Sequence, residues 1–192
     1  MKLILASASP RRAEILSKAG IPFSVLSSAV DESPHPGERP EDLVLRLANA
    51  KAELVAARAV GPAIVIAADT TVVCEGRMLN KPDSTEEARA MLQLLSGRTH
   101  SVLTGVALIR LPGNQRRQFT ESTLVQFRPI SEVELASYLA SGESYDKAGG
   151  YAIQGLAGRF IPRIEGCYFN VVGLPLSRLI SELQSLDWSE NS

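Results

Sequence analysis

Ser7, Ser9, Arg11 and Arg12 stand close together in the run Leu3-Ile4-Leu5-Ala6-Ser7-Ala8-Ser9-Pro10-Arg11-Arg12. Two hydroxyls and two guanidinium forks thus meet where a short apolar strand gives way to a helix. Ser9 suits the N-cap and Pro10 the first helical position. A helix N-terminus carries partial positive charge and favours acids, so each cation there costs about 0.3–1 kcal/mol. Two arginines at this point make little sense for stability alone. They make sense if an anion occupies the turn, where backbone N–H groups, hydroxyls and guanidinium groups together form a phosphate-sized site.

Further along, Asp69 follows the apolar run Ala63-Ile64-Val65-Ile66-Ala67-Ala68 and precedes Thr70. A carboxylate at the end of a buried strand is where open α/β sheets place ligands, although a strand-terminal turn aspartate is the plainer reading. Glu32 in a loop, Lys51 on a long helix and Lys81 before Pro82 each read individually as solvated surface charges. As a set they are an inventory for phosphate transfer. Carboxylates can hold a divalent cation or deprotonate water, and lysines and arginines can neutralise a polyphosphate. The segment Asp146-Lys147-Ala148-Gly149-Gly150-Tyr151-Ala152-Ile153-Gln154-Gly155 lets backbone approach a ligand closely, and the Gln154 amide can both donate to and accept from a base edge. A structural turn with a surface glutamine is the alternative. There is no P-loop and no Gly-x-Gly-x-x-Gly after a strand. His35 and His100 lack ligand partners at useful spacing, which argues against transition-metal chemistry.

These residues need elements to hold them. The pattern predicts a strand over 2–6, a helix over 10–19 stopped by Gly20, a second strand over 23–26 and a loop over 28–40 with three prolines. A helix from Pro40 to about Val60 carries Leu43, Val44, Leu47, Ala50 and Leu54 at helical spacing. The run 63–68 reads as a strand buried on both faces, ending at Asp69-Thr70-Thr71 and followed by another strand over 72–75 with a turn at Gly76. Ser84-Thr85-Glu86-Glu87 and Ser131-Glu132-Val133-Glu134 are capping boxes opening helices to Leu95 and about Ala140. The stretch 99–128 reads as β-rich around Pro112-Gly113-Asn114, a strand is expected over 168–172, and Pro175 opens a final helix to about Leu186 with a fraying tail. Strands and helices that alternate before a β-rich middle imply an α/β fold with a mixed sheet.

The 192 residues suit one domain, or one domain with a lobe formed by the β-rich stretch. Hydrophobic residues make up 45%, enough for a sizeable core, and the formal net charge of −1 argues against a broad footprint for duplex nucleic acid. Arg110, Arg116, Arg117 and Arg128 read as a solvated hairpin rather than a nucleic-acid surface. Cys74 and Cys167 have neither metal-type nor disulfide-framework spacing, and Cys74 in its apolar run reads as a small buried hydrophobe. No apolar run approaches the roughly 18 residues of a membrane helix and no secretory leader is visible, so a soluble cytoplasmic protein is expected.

With these motifs in place the chain resembles the Maf proteins, nucleoside triphosphate pyrophosphatases. Ser7-Ala8-Ser9-Pro10-Arg11-Arg12 is similar to the family's Ser-x-Ser-Pro-Arg-Arg signature. Matches continue in order through Val30-Asp31-Glu32, Leu47-Ala48 with Lys51-Ala52, Ala67-Ala68-Asp69-Thr70, Asn80-Lys81-Pro82, Leu95-Ser96-Gly97, Asp146-Lys147-Ala148-Gly149, Ile153-Gln154-Gly155 and Val172-Gly173-Leu174-Pro175. The resemblance implies one Maf-like domain over 1–192 with a cleft between two lobes. It implies an elongated mixed sheet flanked by helices, similar to the inosine triphosphatases, and a homodimer. It implies hydrolysis of a nucleoside triphosphate to the monophosphate and pyrophosphate with Mg²⁺ or Mn²⁺. The family's base falls on Asp69, with Glu32 beside it at the metal. Its polar set falls on Ser7, Arg12, Glu32, Lys51 and Lys81. The positions that separate subgroups fall on Arg11, Thr70 and Gln154, a combination similar to the subgroup acting on dTTP and UTP. The subgroup preferring 7-methyl-GTP has Trp, Gln and Glu there. A nucleotide-binding regulator of septum formation is the rival that the family association raises; it would need the anion turn but not a water-activating Asp69.

Overall fold

A computed structural model describes residues 1–189. In chain order the elements are β1 (Lys2–Leu5), α1 (Pro10–Lys18), β2 (Ser24–Val25), α2 (Pro40–Ala56), β3 (Ala63–Cys74), β4 (Arg77–Leu79), α3 (Thr85–Leu95), β5 (Thr99–Leu111), β6 (Gln115–Gln126), α4 (Glu132–Ala140), β7 (Arg163–Glu165), α5 (Tyr168–Val172) and α6 (Leu176–Gln184). Short 3-10 turns lie at Ala148–Gly150 and Leu156–Phe160. The sheet order is β2-β1-β3-β5-β6-β7, with β4 paired to β3. β1 runs parallel to β2 and β3, whereas β3–β4 and β6–β7 are antiparallel, so the fold is α/β with a mixed sheet.

The chain divides into two compact units. One comprises residues 1–69, 104–121 and the segment from Gly173; the other comprises 70–103 and 122–172. In the first unit, Ile4, Ala6, Ala48, Ala52, Val55, Ala63, Val65, Ala67, Ala107 and Ile109 form one buried cluster. Its many alanines let α2 lie close to the strands. The approach is tight at Gly105, where a Cβ would stand 2.4 Å from the Val44 carbonyl oxygen. In the second unit, α3 and α4 bury Met91, Leu92, Leu95, Leu135 and Tyr138 with Phe127, Tyr151 and Phe160. His100 lies in the same unit with its ring edge-on to Phe127 and its Nε2 2.7 Å from the Tyr151 hydroxyl. Burial lowers its pKa to about 4. Cys74 is buried, as a small hydrophobe in an apolar run should be.

Four expectations are corrected. β3 does not end at Asp69 but runs on through Thr70-Thr71-Val72-Val73 to Cys74, because β-branched residues without Gly or Pro sustain a strand through one aspartate. Glu75 and Gly76, both at positive φ, then make the two-residue turn into β4. The segment 168–172 is a short helix rather than a strand. The Asn170 and Val171 N–H groups donate to the Cys167 carbonyl, and the buried Asn170 amide donates to the Val102 carbonyl and Thr123 Oγ1. Those tertiary bonds outweigh the β propensity of Tyr, Phe and Val, and β7 is the strand on that flank. α2 stops at Ala56 and buries Leu43, Val44, Leu47, Ala48, Lys51, Ala52 and Val55, leaving Leu54 and Val60 exposed. Finally, the tail packs as far as Trp188, which is buried and donates its N–H to the Leu183 carbonyl. The last part of the expected fraying tail, 190–192, lies outside the described residues.

Candidate active site

The turn between β1 and α1 is locally simple. The Ala6 N–H donates to the Ile66 carbonyl, which continues the parallel pairing one residue beyond β1. The chain then turns through Ser7-Ala8-Ser9. Ser9 takes the N-cap position with extended backbone, but its side chain makes no capping bond. Ser9 thus holds the expected N-cap position, with Pro10 opening the helix, while the Ala13 N–H donates to the Ser9 carbonyl. α2, α3 and α4 all carry acids in their first turns, and α1 carries none. Ser7 Oγ instead accepts from the Ser9 N–H at 3.2 Å and from Arg12 Nη1 at 3.1 Å. Arg12 Nε donates to the Gly173 carbonyl at 2.8 Å. Gly173 has φ 122°, a conformation that favours glycine, which accounts for the residue in the Val172-Gly173-Leu174-Pro175 motif. Burial and neighbouring Arg11 push the Arg12 pKa down, while Asp69 and Glu32 oppose the shift.

Lys51 is the centre of the second cluster. The spacing Leu43, Leu47, Lys51, Val55 puts it on the buried stripe of α2, so its ammonium is delivered to the sheet rather than to solvent. Lys51 Nζ donates to Asp69 Oδ1 at 2.6 Å and to Glu32 Oε1 at 2.5 Å. The side chains are 9% exposed for Lys51, 13% for Asp69 and 45% for Glu32. One cation therefore holds a nearly buried carboxylate and a half-open one. Lys51 engages Asp69 through Oδ1, and among the described residues Oδ2 accepts no hydrogen bond.

Glu32 reaches this position because its loop is pinned from the same helix. Arg46 grips both oxygens of Glu38 at 2.6 and 2.8 Å and donates to the Ser33 carbonyl at 3.0 Å. The His35 N–H adds a bond to Glu38, whose carboxyl is lowered to about 2, chiefly by the Arg46 hydrogen bonds. The sequence reading missed Arg46 and Glu38. Their separation of eight residues across a Pro-rich loop gives no local signal.

The structure thus brings Ser7, Arg12, Glu32, Lys51 and Asp69 into one unit, with Ser9 and Arg11 on the same turn. Arg11, Arg12 and Lys51 against Glu32 and Asp69 leave this group one positive charge in excess, which favours an anionic ligand. Thr70, Lys81 and Gln154 belong to the second unit. There Asn80 Oδ1 accepts from the Thr71 hydroxyl, and the Asn80 carbonyl accepts from the Gly149 N–H. Asn80 thereby ties the Lys81 turn both to β3, one residue from Thr70, and to the glycine turn ahead of Gln154. The segment 154–156 is exposed.

The donor set suits a hard divalent cation. Glu32 and Asp69 supply carboxylate oxygens that already converge on a single positive group. Among the described residues no group of three or more His, Cys, Asp or Glu gathers that could hold a metal ion, here or elsewhere, so these two carboxylates are the protein's own candidates. Arg110, Arg116 and Arg117 are paired with Asp187, Glu53 and Glu182 in the first unit, and Arg128 with Glu134 in the second. No helix among the described residues is long and apolar enough to cross a membrane.

Strand, arginine-bearing turn and helix, with two carboxylates sharing an ammonium in the same unit, are the site's features in an α/β protein with a mixed sheet. The chain belongs to the Maf family: residues 2–186 match the family described as Maf-like protein. It is 50% identical over 187 residues to a dTTP/UTP pyrophosphatase of Geobacillus sp. (strain WCH70), covering 97% of this chain and 99% of that one. It is 48% identical over 184 residues to a dTTP/UTP pyrophosphatase of Carboxydothermus hydrogenoformans, covering 96% and 98%. Among solved structures, a nucleoside-triphosphatase/dITP/XTP pyrophosphatase from Mycobacterium abscessus aligns at 19% identity and a TM-score of 0.40, covering 68% of this chain and 76% of that one.

Proposed function

We propose that this protein hydrolyses nucleoside triphosphates, dTTP and UTP foremost, to the nucleoside monophosphate and pyrophosphate. The observation that carries the reading is the Lys51 ammonium shared between Asp69 and Glu32 on the same unit as the Ser7–Arg12 turn. The names of the near-full-length relatives support the choice of substrate.

Phosphate oxygens bind at the N-terminal turn of α1 and on Arg12, whose guanidinium is oriented by Ser7 and Gly173. Ser9 and Arg11 line the same turn. Asp69, fixed through Oδ1 by Lys51, uses Oδ2 to orient water and accepts its proton as the oxygen attacks phosphorus. The phosphoanhydride bond breaks and its electron pair leaves with pyrophosphate. Lys51 and Lys81 offset charge on the leaving group. Positioning and charge supply most of the acceleration, as in other phosphoryl transfers. Glu32 and Asp69 are the residues that would hold Mg²⁺ or Mn²⁺, which when bound supplies positive charge to the phosphate oxygens. Gln154 pairs with N3–H and a carbonyl shared by thymine and uracil, with Thr70 and Arg11 completing selection. A C5 methyl in a fitted pocket is worth only about 1–3 kcal/mol, so one site can serve both bases.

Pyrophosphate release across a nucleotide panel, including 7-methyl-GTP, tests the reading. We expect dTTP and UTP to lead and Asp69→Asn to lower kcat roughly 10²–10⁴-fold with little change in unfolding midpoint. An Asp69→Asn protein turning over at the parent rate would remove the base assignment. Tight nucleotide binding without pyrophosphate release would favour the septum-associated regulator. Homodimerisation and a cytoplasmic setting, both implied by the resemblance, belong to this reading, and sedimentation velocity tests the first.

A further inference from the structure

Gln154 is exposed, and among the described residues its amide makes no hydrogen bond. Its own side chain therefore does not fix its direction; the backbone that carries it must. That backbone is closed on one side by the Gly155 N–H donating to the Ala152 carbonyl and by the Gly158 N–H donating to the Gly155 carbonyl. On the other side it meets a carboxylate. Glu143 Oε2 accepts from the Leu156 N–H at 2.9 Å. A Cβ at position 155 would stand 2.3–2.4 Å from Glu143 Oε1, Cδ and Oε2. Gly155 has φ −105°, which any residue adopts, so what a side chain here would disturb is the Glu143 carboxylate rather than the backbone conformation. The space it leaves is filled by the Glu143 carboxylate.

Glu143 is itself anchored. Its Oε1 accepts from the hydroxyl of the fully buried Tyr138 at 3.3 Å, its N–H donates to Ser141 Oγ, and its carbonyl accepts from Lys147 Nζ at 2.8 Å. The buried core of the second unit is thus connected through one carboxylate to Leu156, two residues beyond Gln154. We propose that Glu143 is a positioning residue for base selection: it clamps the Gly155–Leu156 backbone and so sets where the Gln154 amide points. This rests on the reading of Gln154 as the base contact, and Glu143 touches neither base nor phosphate.

Four variants in the full-length protein test it: Glu143→Ala, Glu143→Gln, Gly155→Ala and the Glu143→Ala/Gly155→Ala double. The readouts are the ratio of kcat/KM for dTTP over dGTP and hydrogen exchange at the Leu156 amide. We expect Glu143→Ala to lower the ratio about tenfold, the equivalent of one well-placed hydrogen bond, and to speed Leu156 exchange. Glu143→Gln keeps an acceptor and should stay within about threefold of the parent. Gly155→Ala should resemble Glu143→Ala, and the double should be no worse than either single, because both act at one contact. Unchanged Leu156 exchange in Glu143→Ala, or additive losses in the double, would overturn the clamp. Gln154→Ala separates the two claims. If it shifts the base ratio while Glu143→Ala does not, the clamp fails and the reading of Gln154 stands. If Gln154→Ala leaves the ratio unchanged, the base reading fails and the selection role of Glu143 fails with it.

Discussion

Arg11 and Arg12 are neighbours with unequal duties. Arg12 is committed in two directions, Nε to the Gly173 carbonyl and Nη1 to Ser7 Oγ, which presents a rigid fork to the turn. A lysine has one ammonium on a flexible stem and cannot hold both anchors while meeting a phosphate. We expect Arg12→Lys to lower kcat/KM for dTTP about 10–100-fold, a loss of roughly 1.4–2.8 kcal/mol of transition-state binding. Arg11→Lys should instead move the ratio between nucleotides more than the turnover of the best one. Equal losses in the two variants on every substrate would erase the division. The same contrast separates what sequence makes legible at this scale. The Ser7–Arg12 turn announces itself because all its parts are local. Lys51 could have been read from its four-residue spacing with Leu47 and Val55. Arg46, Glu38 and Glu143 could not, since each acts through backbone or carboxylate contacts that only folding creates.

At the scale of elements, the position of Lys51 depends on how closely α2 can lie on the sheet, and Gly105 decides that. A methyl there would press on the Val44 carbonyl and the Leu45 N–H, backbone atoms that cannot rotate away. We expect Gly105→Ala to destabilise by about 1–3 kcal/mol, measured by urea unfolding, and to lower kcat as Lys51 is carried off Asp69. A fully active, fully stable Gly105→Ala protein would mean that α2 tolerates displacement and that Lys51 is placed by other contacts. Elements closed by short-range signals were readable: of the three predicted Ser caps, Ser84 and Ser131 accept the N–H three residues on, although only Ser131 completes its capping box, the Glu87 carboxylate accepting from the Asp83 N–H instead. Elements set by distant partners were not. β3 passes straight through the residue that looked like its end, and 168–172 coils because Asn170 is held by Val102 and Thr123.

At the scale of the molecule, the chain passes between its two units four times, inside β3, β5 and β6 and once more between Val172 and Gly173 after α5. Unfolding one unit must break strands that continue into the other. We therefore expect one calorimetric transition, with the fluorescence of Trp188, the sole tryptophan, reporting the same midpoint. The stability behind that transition should depend on acid in a defined window. His100 is neutral in the fold because its ring is buried and Nδ1 has no hydrogen-bond partner among the described residues, so a proton there would be stranded. Its ordinary pKa of 6.5 falls to about 4 on folding. The unfolded chain therefore binds the proton first, and stability present above pH 6.5 is lost as pH falls toward 4. The full loss is on the order of 3 kcal/mol. Glu38 and Glu134, lowered to about 2 chiefly by Arg46 and Arg128, contribute only below about pH 4.5, so the upper part of the window belongs to the histidine. His100→Gln keeps a polar partner for Tyr151 and removes the titration. It should lower the midpoint at pH 8 and flatten its fall between pH 6.5 and 5. A His100→Gln protein that kept the parent slope in that interval would remove His100 as the source of the acid sensitivity.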